Sequence, residues 1–262
     1  MEQQTIEALG DRLFTALKEG TTLSPFTATH PPIQIEDAYK ISLHFLKRRQ
    51  ESGQKVIGKK IGVTSDAVQS MLGVYQPDFG FLTDDMIFPD QSEIKIDGLL
   101  IQPKAEGEIA FTLKSPLKGP GVTAQDVLDA TQCIQPCFEI VDSRISNWQI
   151  KIQDTIADNA SCGIFTLGQT KIDPREIDLE TCGMILEKNG KIVSTGAGAA
   201  VQGSPLQAVA WLANTLGQYG VTLDAGDIIL SGSWIPLEPV GPGDHIRLRI
   251  GSGIGEASLR FV

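Results

Sequence analysis

No stretch of this 262-residue chain is apolar for the roughly 18–20 residues that a helix needs to cross a bilayer, which argues against a helical membrane span. The opening segment, MEQQTIEALGDRLF, carries acids and lacks the continuous apolar core of a signal or transit peptide. Basic residues are outnumbered, 22 against 32 acidic ones, for a net charge of −10, and they form no long cluster. Nucleic acids and anionic membranes are therefore poor candidate partners, since both select for clustered Lys and Arg. The four cysteines (Cys133, Cys137, Cys162, Cys182) contain no CxxC pair and sit among apolar residues, which reads as reduced core thiols. The three histidines (His30, His44, His245) have no ligand spacing, and neither a GxSxG elbow nor a Cys/His pair signals covalent catalysis. The glycine-rich Gly251-Ser-Gly253-Ile-Gly255 and Gly196-Ala-Gly198 are not followed by the strand-to-helix pattern of a phosphate loop, so no organic cofactor is expected. A cytoplasmic, soluble protein is the expectation.

What is present is an ordinary globular composition, 41% hydrophobic and 21% charged. Ile6, Leu9, Leu13, Phe14 and Leu17 recur at helical spacing, with Gly20 as a stop. After a loop ending at Pro31-Pro32, a second helix is predicted near residues 36–51, with Ala38, Ile41, Phe45 and Leu46 as its apolar stripe. From about Lys55 the chain turns into short β-prone runs: VIGKKIGV, GLLIQP, GEIAFTL, CFEIV, CGIFTL, GMILEKNGKIVSTG, DIILSG, HIRLRI and ASLRFV. Asn189-Gly190 between two such runs predicts a hairpin, because a type I′ turn needs positive φ at both central residues. Two helices interrupt this stretch, one opened by a capping box at Thr123–Asp126 and one by Ser204-Pro205. No internal repeat appears. The expected organisation is α+β, with a small helical N-terminal region (1–60) ahead of a large β-rich domain (61–262).

The segment Gln102-Pro-Lys-Ala-Glu106-Gly-Glu108-Ile-Ala-Phe111 carries the strongest chemical signal. On a strand, residues i and i+2 share a face, so Glu106 and Glu108 lie side by side while Ile109 and Phe111 point to the core. Adjacent carboxylates raise each other's pKa unless a cation sits between them. A third acid, Glu139 in Cys137-Phe-Glu139-Ile-Val-Asp142, is embedded in an apolar run and needs a partner. Three carboxylates without a histidine suit Mg²⁺ or Mn²⁺ better than Zn²⁺. Spacing alone leaves a second reading open, in which Glu106 and Glu108 merely line the solvent face of an amphipathic strand.

Three longer stretches go further: residues 55–81 (KVIGKKIGVTSDAVQSMLGVYQPDFGF), 102–111 and 137–165 (CFEIVDSRISNWQIKIQDTIADNASCGIF). Together they resemble the fumarylacetoacetate-hydrolase-fold family, and within it the branch of 2-hydroxypenta-2,4-dienoate (2-oxopent-4-enoate) hydratases of aromatic meta-cleavage pathways. The resemblance implies a mixed β-rich, roll- or barrel-like domain and a metal held by Glu106, Glu108 and Glu139. It also implies a homo-oligomer, built from pentameric rings, and a complex with 4-oxalocrotonate decarboxylase. That sister branch shares the metal triad, but Gln76-Pro-Asp78-Phe-Gly80 and Asp154 match the hydratases better. A decarboxylase and a non-catalytic partner subunit remain the alternatives.

For proton traffic the candidates are Lys60, its pKa lowered by shielding and a nearby metal, and Asp78 in a PDFG turn. A surface lysine and a turn-capping aspartate are the plain alternatives. Ser161, in a pocket-edge loop Asp158-Asn159-Ala-Ser161, is a candidate donor to a substrate carboxylate, as are backbone N–H groups of the turn Ser231-Gly-Ser233. Asp142 and Arg144 either steady Glu139 or form a simple ion pair.

Overall fold

The computed structural model describes residues 1–29, 32–65, 68–70 and 73–262. His30 and Pro31 lie outside the described residues, as do four positions within the 55–81 stretch. Helices α1 (Gln3–Glu19) and α3 (Ile35–Glu51), with a short turn α2 (Phe26–Thr29) between them, form the N-terminal part. Helix α1 buries Ile6, Leu9, Leu13 and Ala16 and stops at Gly20, whose φ of 63° lets its N–H reach Ala16 O. Helix α3 buries Ala38, Ile41, Phe45 and Leu46, the predicted stripe. Both helices share one apolar core with the sheets that follow.

The β part is two sheets. The larger has eight strands along the path β2 (Asp78–Thr83), β1 (Val56–Gly62), β10 (Ile228–Leu230), β5 (Lys104–Leu113), β6 (Thr131–Val141), β7 (Cys162–Leu167) and β3 (Ile87–Pro89), with β11 (Glu238–Pro239) also paired to β5. The smaller runs β4 (Glu93–Ile94), β13 (Gly255–Phe261), β12 (His245–Ile250), β8 (Gly183–Lys188) and β9 (Lys191–Ala197). Parallel and antiparallel pairs are mixed. The fold class is α+β, with few helices and a large curled mixed sheet. Asn189 and Gly190 have φ of 54° and 76° and close the β8–β9 hairpin, as their sequence predicts.

Pleating then assigns the faces of β5. A Cβ on Gly107 would run into Leu248, Met184 and Ile235, so that face of β5 packs on the second sheet. Ala105, Ile109 and Phe111 join the same core. Ala110 belongs instead to a smaller apolar cluster with Leu82, Cys137, Cys162, Phe165 and Leu230. Glu106 and Glu108 alternate with the core residues and stand on this second face.

Four local expectations are corrected. Residues 98–103 (GLLIQP) form no strand, because the Asp142 carboxylate takes the N–H groups of Ile101 and Gln102 at 2.9 and 2.7 Å. A third helix, α5 (Ile152–Ala157), follows the helix α4 (Ala124–Ala130) and is too short to show a 3.6-residue period. Ser204 precedes helix α6 (Pro205–Gln218) without a side-chain cap bond. Asp78 opens strand β2 rather than capping a turn. The capping box at Thr123–Asp126 forms as expected.

Candidate metal centre

The antiparallel register of β5 and β6 sets Glu106 opposite Glu139 and Glu108 opposite Cys137. One carboxylate oxygen from each of Glu106, Glu108 and Glu139 falls within 4.8 Å of the others. Glu108 and Glu139 are 0% exposed, and Glu106 is partly open to solvent. Oε2 of Glu108 accepts the N–H of Gly232 at 2.8 Å. Oε1 of Glu108 and Oε2 of Glu139 accept no hydrogen bond among the described residues. Burial first, and then the charge of Glu139, push the Glu106 carboxyl up to about 8 and Glu108 well above its ordinary range. Lys60 offsets only part of this. Orphaned, buried, mutually repelling oxygen donors are the arrangement a hard divalent cation would relieve, so the residues fit such an ion.

Lys60 and Asp78 reach the same face from β1 and β2, where Lys60 stands opposite Gly80 and Gly62 opposite Asp78. Both side chains are buried, at 2% and 1% exposure. The Lys60 ammonium lies 3.1 Å from Oε1 of Glu139. Burial alone would lower the Lys60 pKa, but Glu139, Glu106 and Asp78 outweigh it and the net shift is upward. The protein's own groups thus hold Lys60 charged; the lowered value expected from the sequence invoked a nearby metal as well as shielding. Asp78 is pushed up to about 6, by burial above all, against the opposing pull of Lys60.

Gly62 makes this possible. A Cβ at that position would overlap Oδ1 of Asp78 and stand 3.2 Å from the Lys60 ammonium. Gly62→Ala is expected to displace Asp78 and cut turnover at least about tenfold, since misplacement by an ångström is enough for such a loss. The fold should survive, and steady-state kinetics beside a thermal melt check both. Wild-type turnover in this variant would show that Asp78 needs no such space.

The remaining candidates are placed differently. Arg144 pairs with Asp158 at 2.5 Å, not with Asp142, and also donates to the carbonyls of Asp142, Asp158 and Cys162. Asp142 serves the 101–102 backbone, and among the described residues neither Asp142 nor Arg144 forms a hydrogen bond or ion pair with Glu139. Ser161 is buried, and its hydroxyl is 3.2 Å from Asp158 and 3.4 Å from Thr155. Ser231 gives its N–H to Ile109 O and Gly232 gives its own to Glu108, so these two backbone donors are already used. The Ser231 hydroxyl, by contrast, has no partner among the described residues. Asp154 sits at the start of α5 and accepts from Thr27 N and Oγ1 at 3.0 and 2.6 Å, tying the N-terminal segment to that helix.

One contributor was invisible in the sequence. The Asn159 side chain clamps the backbone of Phe81 from both sides, accepting its N–H at 2.7 Å and donating to its C=O at 2.9 Å. Asn159, Ala160 and Ser161 all have φ near 50–56°, a conformation that costs non-glycine residues energy and persists only under strong constraint. The clamp fixes β2, and with it Asp78. A cleft of about 450 Å³ lined by Thr64, Gln76, Pro77, Gln202 and Trp211 opens beside Asp78's neighbour Pro77.

Carboxylates and a lysine converging, largely buried, on one face of a curled mixed sheet define a candidate divalent-metal enzyme of α+β architecture. Residues 59–262 match the model of the fumarylacetoacetate (FAA) hydrolase C-terminal family, and the chain belongs to that family. It is 56% identical over 261 residues to 2-hydroxyhexa-2,4-dienoate hydratase of Comamonas testosteroni, covering 99% of this chain and 98% of that one. It is 60% identical over 221 residues to 2-hydroxypent-2,4-dienoate hydratase of Pseudomonas putida, covering 84% of this chain and all of the relative. Among solved structures, 4-oxalocrotonate decarboxylase from Pseudomonas putida G7, complexed with magnesium and adipate, superposes with a TM-score of 0.96. Its identity is 37%, over 100% of this chain and 99% of that one.

Proposed function

We propose that this chain is a hydro-lyase that adds water to 2-hydroxypenta-2,4-dienoate to give 4-hydroxy-2-oxopentanoate. The observation that carries this reading is the convergence of Glu106, Glu108 and Glu139, with unpartnered oxygens, beside buried Lys60 and Asp78. Identity of 56–60% to chains named as hydratases, against 37% to a decarboxylase, supports hydration over decarboxylation. Glu106, Glu108 and Glu139 would hold a divalent ion such as Mg²⁺ or Mn²⁺, which when bound supplies Lewis-acid stabilisation of negative charge on the C2 oxygen.

The protein's own groups account for the rest. Lys60, held as an ammonium, places a positive charge and a transferable proton beside Glu139. It delivers its proton to C5 and, as the amine left behind, takes up the proton leaving the C2 hydroxyl, which restores the ammonium and converts the dienol to a conjugated 2-oxo acid. Asp78, with a pKa of about 6, is ionised in most molecules at neutral pH and orients the water that attacks C4. The hydroxyl of that water stays on C4 and a proton goes to C3. Ser231, through a hydroxyl that has no partner among the described residues, and Ser161, through the Asp158 loop, contribute to substrate binding. Assembly into homo-oligomers, and a complex with a decarboxylase, belong to the same reading and are open to light scattering and co-purification.

The test supplies purified protein and Mg²⁺ with each freshly generated dienol and follows the products by NMR. Formation of 4-hydroxy-2-oxopentanoate supports the reading. Carbon dioxide release from the related dicarboxylate, without that product, would replace it with the decarboxylase.

A further inference from the structure

The cluster has a charge problem that its own residues do not solve. Four carboxylates (Glu106, Glu108, Glu139, Asp78) face one buried lysine, and a divalent cation still leaves the ionised set one negative charge in excess. The whole chain carries −10. An anionic substrate is therefore repelled both at long range and at the site.

Strand β5 offers a remedy at its open end. Lys104, Glu106 and Glu108 alternate along one face, and exposure rises from 0% at Glu108 to partly open at Glu106 and Lys104. The ammonium of Lys104 rests 4.3 Å from the centre of the Trp148 ring. The indole N–H of Trp148 donates to Gln102 O at 3.0 Å, which anchors the ring to the segment leading into β5. Asn147 and Trp148 both adopt φ near 55°, so the loop is bent against local preference to present that ring. Lys104 makes no ion pair with a carboxylate among the described residues. A cation held on an aromatic face is restrained without being neutralised, and keeps its charge for an incoming anion.

We propose that Lys104, held on Trp148, is the anion-recruiting residue of this site, capturing the carboxylate of the 2-hydroxydienoate at the open end of the Glu106–Glu108 face. It is a binding and specificity residue, and takes no part in proton transfer. The inference rests on the proposed hydratase reading for the identity of the anion, and on the geometry alone for the capture of a small 2-oxo acid.

Two measurements separate these. The first is calorimetric titration of the Mg²⁺-loaded protein with pyruvate and, as an uncharged control, pyruvamide. Wild type is expected to prefer the anion, and Lys104→Met, which keeps the apolar stem over the ring, to lose about tenfold in pyruvate affinity with pyruvamide unchanged. The second is steady-state kinetics on the dienoate. Lys104→Met should raise KM about tenfold, hold kcat within twofold, and flatten the fall of kcat/KM with added salt. Lys104→Arg should restore most of the loss.

Equal pyruvate affinity in wild type and Lys104→Met, or no pyruvate binding by wild type, overturns the inference. Absence of dienoate turnover in wild type, with Lys104-dependent pyruvate binding intact, overturns the hydratase reading alone. If Lys104→Met does not fold, Lys104→Gln carries the same comparison.

Discussion

Glu108→Gln is expected to weaken Mg²⁺ or Mn²⁺ binding by roughly a hundredfold or more, since even residues behind the ligands are worth 10–100-fold in metal affinity. Turnover should fall by on the order of a thousandfold, the scale of losing a principal electrostatic stabiliser. The substitution is nearly isosteric, and the amide oxygen can still accept the Gly232 N–H that Glu108 now accepts at 2.8 Å. What disappears is one charge from a site where burial and Glu139 already hold the Glu108 carboxyl above its ordinary range. The metal-free variant should therefore be more stable than the metal-free wild type, by about 1 kcal/mol or more. In a chain of this size that is a rise of a few degrees in melting temperature. Loss of function with a gain in stability distinguishes a metal ligand from a structural carboxylate, whose removal would lower both. Calorimetric metal titration and paired melts with and without chelator measure it. Unchanged metal affinity would sink the centre. A non-catalytic subunit would show the same metal loss while having no turnover to lose.

The second large effect is that of metal removal across pH. Glu106 sits at about 8, Asp78 at about 6, and Glu108 well above its ordinary value, all higher than in an unfolded chain. The folded, metal-free protein thus holds protons more tightly than the unfolded one. Stability from these groups is fully present below about pH 4, and drains away as pH rises through about 6 and then about 8. A tenfold tighter hold on one proton is worth about 1.4 kcal/mol, so the decline amounts to several kcal/mol. This is opposite in sign to the common case of salt-bridged carboxylates. Bound metal replaces the protons, so saturating Mg²⁺ should abolish the decline and make affinity itself rise with pH. Melting curves from about pH 5 to about pH 8, with chelator and with Mg²⁺, decide the matter. A chelated protein that grows more stable over this range would show that these carboxyls are not elevated.

Much of the local structure was legible because it is written in short-range periodicity. The stripes of α1 and α3, the Asn189-Gly190 turn and the capping box at Thr123 each depend on residues within a few positions of one another. The same holds for the shared face of Glu106 and Glu108, which follows from strand pleating alone. Where prediction failed, a distant partner intervened. Residues 98–103 read as a strand until the Asp142 carboxylate captured their backbone N–H groups. Arg144 looked like a partner of Asp142, two residues away, yet it binds Asp158 across a loop. Asp154, noted only as an acid ahead of the ADNAS stretch, spends its carboxylate on Thr27, 127 positions earlier.

The sequence by itself determined which side chains are able to serve this protein: three glutamates on β-prone segments, a lysine and an aspartate in flanking runs, and no histidine set or cofactor loop. Only the tertiary structure decided that they meet. Glu106 faces Glu139 because β5 and β6 pair in one register out of several, and Lys60 stays charged because three acids from separate strands surround it. The physical reason is that pleat and helical period are set by neighbouring residues, whereas strand register, burial and electrostatic balance are set by packing between segments far apart in the chain.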